Sequence, residues 1–173
     1  MERINTWAEE YLTIIDTMWE DDNYKEGRVI LEKVFLEVPD YAKAHQYAAW
    51  YAQFKLRDRK SAIMHYELAL KFDPRYELTY LQYAELLIED KNEQRLSRLK
   101  EEGMSYEEVD KAMLLNDYGR VLEVMGKYRA ASAIYKEAMK HTMNYWIMNT
   151  IKSNRKRVRA KYHLFSAVYS VFI

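Results

Sequence analysis

Residues 126–140 read GKYRAASAIYKEAMK, and this stretch decides the fold. Small side chains stand at Ala131 and Ala138. A large one, Tyr135, stands four residues after the first and three before the second. That spacing puts all three on one face of an α-helix. Such a face suits a close partner helix, because the small residues let a backbone approach and the large one fills the gap between them. The same face recurs twice upstream. In YKEGRVILEKVFLEVP, residues 24–39, it is Gly27, Leu31 and Val34; in RKSAIMHYELALKFDP, residues 59–74, it is Ala62, Tyr66 and Ala69. Both upstream copies close on a proline, Pro39 or Pro74, where the third copy has Met143. Proline ends a helix because it lacks the N–H for the ladder and restricts the residue before it.

The surrounding composition agrees with an all-helical chain. Only 4 Gly and 2 Pro punctuate 173 residues, and the strand formers do not alternate. This length is enough to bury a real core. Lys plus Arg and Asp plus Glu number 27 each, so no net field argues for nucleic acid. With no cysteine there is no disulfide framework, thiolate metal site or thiol nucleophile. No apolar run is long enough to span a membrane. The opening, MERINTWAEEYLTIIDTMWEDD, reads as a helix and not as a secretory leader, which makes a cytoplasmic location the expectation.

The repeated segments resemble the tetratricopeptide repeat, a helix–turn–helix unit of about 34 residues. The resemblance covers roughly residues 8–143. It implies a right-handed α-α superhelix of about four repeats, followed by a C-terminal helix. First helices in this family carry a large–large–small–large face. The best copy has Leu115, Tyr118, Gly119 and Leu122, with Gly126 in the turn; the third has Tyr80, Tyr83, Ala84 and Leu87. The second copy fits His45, Ala48, Ala49 and Ala52, or one residue later Gln46, Ala49, Trp50 and Phe54. Its two prolines are 35 apart, so it holds one extra residue. The first copy has Tyr11, Ile14, Ile15 and Met18. Gly27, Ala62, Ala69, Gly119, Ala131 and Ala138 are the packing positions this resemblance implies. Most tyrosines then serve packing, with their hydroxyls expected at the surface. The third repeat is degenerate, because its second helix, about Asn92–Glu102, lacks the small–large–small face. An insertion near 100–110 follows. In it, Ser105 and Glu108 form a Ser-x-x-Glu pattern expected to cap a helix over about 106–125. The repeat domain is thus residues 1–143, and 144–173 a basic and apolar capping helix.

In this family the first helices form a concave wall that holds a peptide. Carried over by position, the wall here includes Trp19, Gln46, Trp50, Phe54, Leu78, Leu81, Glu85, Asn116 and Arg120. Such a mixed aromatic, aliphatic and acidic surface suits a protein or peptide segment with apolar anchors. Ordinary packing between repeats accounts for Trp50, Phe54, Leu78 and Leu81 equally well. The cations of the terminal-carboxylate clamp known in one subset are missing in either repeat frame.

Chemistry-bearing patterns are sparse. The histidines, His45, His65, His141 and His163, form no His-x-x-x-His or Glu-x-x-His pair, so no metal site is expected. His45 and His65 fall where they could meet across one hairpin. The run EDDN at 20–23 reads as a polar interhelical turn. No catalytic residue and no cofactor are expected. Residues 144–173 carry Lys152, Arg155, Lys156, Arg157, Arg159 and Lys161 and no acid, so the tail is near +6 and the body near −6. Apolar residues recur there at Ile147, Ile151, Val158, Tyr162, Phe165, Tyr169 and Phe172, with one missed turn at Asn154 and Arg155. A capping helix is the leading expectation for this tail. A homodimer contact through 164–173 and a peripheral membrane or client-binding element stay open as alternatives. The sequence therefore points to a non-catalytic protein–protein interaction module or assembly scaffold, its partner unidentified.

Overall fold

The computed structural model describes the backbone of residues 6–171 and the side chains of residues 6–164. The alternative homodimer contact through 164–173 falls, beyond Leu164, outside the described side chains. The described residues form nine α-helices and no strand. These are α1 (Thr6–Glu20), α2 (Tyr24–Glu37), α3 (Ala42–Tyr51), α4 (Arg59–Phe72), α5 (Glu77–Glu89), α6 (Glu93–Gly103), α7 (Lys111–Val124), α8 (Tyr128–Ala138) and α9 (Tyr145–Val171). A π-helical turn, Ala52–Leu56, extends α3, and a 3₁₀ turn, Met139–His141, follows α8.

The turns show the repeat more regularly than the helices do. Asp22, Arg57, Lys91 and Gly126 all have positive φ, at 62°, 56°, 54° and 75°. They fall at intervals of 35, 34 and 35 residues, each at the end of a first helix. The next residue's N–H closes each turn. Asn23 donates to the Met18 carbonyl (2.7 Å), Asn92 to Leu87 (2.9 Å) and Lys127 to Leu122 (2.8 Å), each reaching five residues back. This is the left-handed cap that satisfies the last carbonyls of a helix. In the second repeat the bond reaches six residues back, from Asp58 to Ala52 (2.9 Å). The extra residue of that repeat is therefore absorbed in the π turn. The degenerate third repeat keeps its turn, at Lys91, although the face of its second helix has changed.

The three second-helix faces are buried. Ala62, Tyr66, Ala69, Ala131, Tyr135, Ala138 and Val34 are 0% exposed, and Gly27 and Leu31 are buried. The expectation that the tyrosine hydroxyls reach water is corrected for Tyr66 and Tyr135. Tyr66 donates to Gln53 Oε1 (2.8 Å) and Tyr135 to Glu123 Oε2 (3.1 Å), each acceptor being itself buried on the preceding first helix. Burial raises both phenols above their ordinary range, and the neighbouring Glu123 carboxylate adds to this at Tyr135.

The chain divides into two compact units, Met1–Thr79 and Tyr80–Ile173, and α9 lies in the second with α7 and α8. In the first unit, Ala8, Leu12, Ile15 and Trp19 of α1 join Leu31 and Val34 of α2 and Ala44, Ala48 and Tyr51 of α3. This corrects the register expected for α1. Of Tyr11, Ile14, Ile15 and Met18, only Ile15 is fully buried, and Ile14 is 42% exposed. The cause is Gly27: a Cβ there would stand 2.7 Å from Trp19 Cδ1, so the missing side chain admits the indole. In α3 the frame His45, Ala48, Ala49 and Ala52 is buried, whereas Trp50 and Phe54 of the alternative frame are half-buried. In the second unit, Leu115 and Leu122 of α7 pack with Ala131, Tyr135 and Ala138 of α8 and with Ile151 and Val158 of α9.

The start of α7 also differs from expectation. Residues 104–109 form turns, and Ser105 Oγ donates to the Glu102 carbonyl (2.6 Å) instead of capping a helix. Asp110 is the cap, its Oδ1 accepting from the Met113 N–H (3.0 Å). Val109, immediately before it, is buried and fixes where the chain turns inward.

Candidate interaction surface

In the first unit α1 and α3 are tied side to side by polar groups. Tyr47 donates to both carboxylate oxygens of Asp16 (2.7 Å each). Tyr41 and Lys43 both donate to Glu9 Oε1, Lys43 at 2.6 Å. Burial alone would raise the Glu9 carboxyl, but the bonds from Lys43 and Tyr41 outweigh it and hold it below the usual range. Beside these links lies an aromatic stack. Trp19 faces Trp50 with centroids 5.0 Å apart and planes 22° apart, and Tyr47, Tyr51 and Tyr24 surround it at 5.6, 5.7 and 6.3 Å. Phe54 lies beyond Trp50 at 5.5 Å, its ring tilted by 44°. Lys55 Nζ lies 3.5 Å from the Tyr24 ring centroid, a cation–π contact.

The nine wall positions expected from the sequence separate into three groups. Trp19, Gln46 and Asn116 are buried, so they do not line an open wall. The indole of Trp19 fills the space over Gly27, and Asn116 Oδ1 accepts from Asn154 Nδ2 of α9 (2.8 Å). Glu85 and Arg120 bond each other, through Nη1–Oε2 at 2.7 Å and Nη2–Oε1 at 3.1 Å. Arg120 also reaches Asp117 Oδ1 at 3.1 Å. Burial pushes the Asp117 carboxyl up to about 6 and Glu85 pushes the same way, against the pull of Arg120. Trp50, Phe54, Leu78 and Leu81 keep partly exposed apolar surface, Leu78 the most.

Helix α9 is held to the second unit along one edge of its apolar stripe. Arg157 forks onto Glu123, with Nε–Oε1 and Nη2–Oε2 both 2.7 Å, and Lys161 Nζ adds a bond of 2.9 Å. Burial would raise the Glu123 carboxyl, but the bonds from Arg157 and Lys161 reverse this and bring it down to about 2. Arg157 Nη1 also bonds Asn154 Oδ1 (2.9 Å), which orients that side chain toward Asn116. Sequence reasoning gave neither Asn154 nor Glu123 this role. The one available signal was the gap in apolar spacing at Asn154, where a buried amide replaces an apolar residue.

His45 and His65 do meet across the α3–α4 hairpin, Nδ1 to Nδ1 at 3.0 Å. His45 Nε2 lies 2.9 Å from the Pro39 carbonyl, which can only accept. With that N–H on Nε2, neutral His45 accepts at Nδ1 from His65. Burial lowers both imidazoles, and with His45 beside it His65 falls to about 4. Among the described residues no group of three or more His, Cys, Asp or Glu could hold a metal ion. No helix among them is long and apolar enough to cross a membrane.

No protein-family model matches the chain, and no curated protein matches it in sequence. Solved structures do match its fold. The structure of Pseudomonas aeruginosa pilF aligns over 92% of this chain and 75% of its own, with TM-score 0.62 and 20% identity. That of PilW, described as a widely conserved type IV pilus biogenesis factor, aligns over 90% and 79%, with TM-score 0.65 and 12% identity. At such identities the likeness concerns fold. The chain is an all-α, tetratricopeptide-like helical solenoid.

Proposed function

We propose that this chain is a non-catalytic protein-interaction module, an assembly scaffold whose first unit receives an apolar anchor of a protein partner. One observation carries the reading. Trp50 and Phe54 form a tilted ring pair that stays partly exposed although Trp19, stacked on Trp50, is buried. An aromatic pair seated on a fixed floor and rimmed by polar groups is the usual make-up of an interface hot spot. The rim consists of Tyr47, Asp16 and Lys55. The fold likeness to a pilus biogenesis factor fits a part in assembling a larger structure. Glu85 and Arg120 support the reading less, since each already satisfies the other.

The test is recovery of a partner from lysate of the source cells by the intact chain and by Phe54→Ser and Trp50→Ala variants. Partner loss with unchanged helical content supports the reading. Equal recovery by folded Phe54→Ser and Trp50→Ala chains overturns it.

A further inference from the structure

The cations of α9 divide into two sets. Arg157 and Lys161 are spent on Glu123. Lys152, Arg155, Lys156 and Arg159, on the other side of the apolar stripe, have no hydrogen bond or ion pair among the described residues, and Arg155 Nε is buried without an acceptor. With His163 and Met139 these four line a concavity of about 440 Å³. Among the described residues no carboxylate lines it, and no Asp or Glu occurs in the sequence after Glu137. Like charges three and four residues apart on a helix repel. The arrangement therefore costs the isolated chain stability, and an anion would relieve that cost.

We infer that this concavity is a docking site for an acidic peptide segment of a partner protein, its carboxylates held by Lys152, Arg155, Lys156 and Arg159. The inference rests on the interaction-module reading and adds the chemistry of one partner segment. Three observations favour a peptide over a lipid surface. Membrane-surface helices need a continuous exposed apolar face, and here Ile151 and Val158, beside the four cations, are 0% exposed and packed against α7 and α8, while the exposed Tyr145, Trp146 and Leu164 lie beyond the cations at either end. The site is concave, with Met139 as an apolar wall. Lys152 to Arg159 spans about 10 Å along the helix, the reach of about three extended residues. A short run of Glu or Asp fits that length. Arg155 and Arg159 can each take a carboxylate in a fork, while Lys152 and Lys156 act as point charges.

The experiment uses the whole chain and a fluorescein-labelled decaglutamate, with decaglutamine as the uncharged control, read by anisotropy. Binding of decaglutamate alone, weakened by added salt, is expected. The Lys156→Gln/Arg159→Gln double variant should lose at least about tenfold in affinity. Lys60→Gln, an exposed cation on α4, should change nothing, and Phe54→Ser should still bind the probe. That last arm separates this inference from the aromatic one. Any of these results would overturn it: no decaglutamate binding at low salt; unchanged affinity in the folded double variant; or binding to phosphatidylserine vesicles that decaglutamate does not displace. Self-association that the double variant abolishes would also overturn it, assigning the site to a second copy.

Discussion

Tyr135 lies against the backbone of Gly119, so closely that a Cβ on Gly119 would stand 2.6 Å from Tyr135 Cε1. The glycine makes room for the ring, and the ring carries its hydroxyl to Glu123. Gly119→Ala should therefore force Tyr135 out of place and destabilise by about 1–3 kcal/mol, although alanine favours a helix. Ala131→Leu, on the same contact, should act similarly. Thermal unfolding followed by circular dichroism measures both, and an unchanged midpoint would remove the packing argument.

Glu123 is the anchor of α9. Its folded pKa, about 2, lies below the ordinary 4.5, so its contribution is complete above about 4.5 and is lost as pH falls through about 2. Glu123→Gln should remove this acid sensitivity. It should also cost about 1.5–3 kcal/mol at neutral pH, the usual worth of hydrogen bonds to a charged group. Urea titrations between pH 2 and 7 read both effects.

Asp117 works in the opposite sense. Its folded pKa of about 6 exceeds the ordinary 3.8, so the stability contributed by its neutral form is complete below about 3.8 and lost as pH rises through about 6. Asp117→Asn should flatten that slope. His65, lowered from 6.5 to about 4, disfavours its charged form in the fold. Its contribution is present above about 6.5 and lost as pH falls through about 4, and His65→Gln should abolish that loss. NMR titration of the His65 ring gives the independent check.

Removing α9 from Tyr145 onward uncovers the surface on α7 and α8 against which Ile151 and Val158 are buried. Each buried aliphatic side chain is worth about 1.5–3 kcal/mol against exposure, out of a total of about 5–15. The shortened chain should melt lower and aggregate. A stable monomer of unchanged melting temperature would refute the role of α9 as a cover.

Lys91 carries a side chain in a left-handed turn where Gly126 carries none. Lys91→Gly should stabilise by up to about 1 kcal/mol, since the strain of the left-handed conformation exceeds the entropy cost of glycine. A lower melting temperature in this variant would show that the Lys91 side chain contributes more than the strain costs.

Three second-helix faces could be read from residue spacing because each depends on three side chains in one helix. The faces of the first helices depend on more. Whether Leu12 or Tyr11 points inward in α1 is settled by Gly27 on a different helix making space for Trp19. The cap at Asp110 prevailed over the Ser105 pattern because Val109 had a place in the core. The wall positions were legible as positions and not as surface: Asn116 is buried against Asn154, and Glu85 and Arg120 are paired, through contacts between residues 35 or more apart. The two-sided charge of α9 was visible as a count of cations, whereas their division between Glu123 and an open face follows from packing alone.

Repeat proteins grow by duplication, and the copies then drift in length. One added residue turns everything after it by about 100° around an α-helix, which would carry Ala62, Tyr66 and Ala69 off their neighbours. The π turn at Ala52–Leu56 confines that drift to the end of a first helix, and the second helix begins in phase. The left-handed corner thus acts as a joint between interchangeable parts. First helices can gain or lose a residue there, and so diversify the surface they present, while second helices keep the dimensions on which stacking depends.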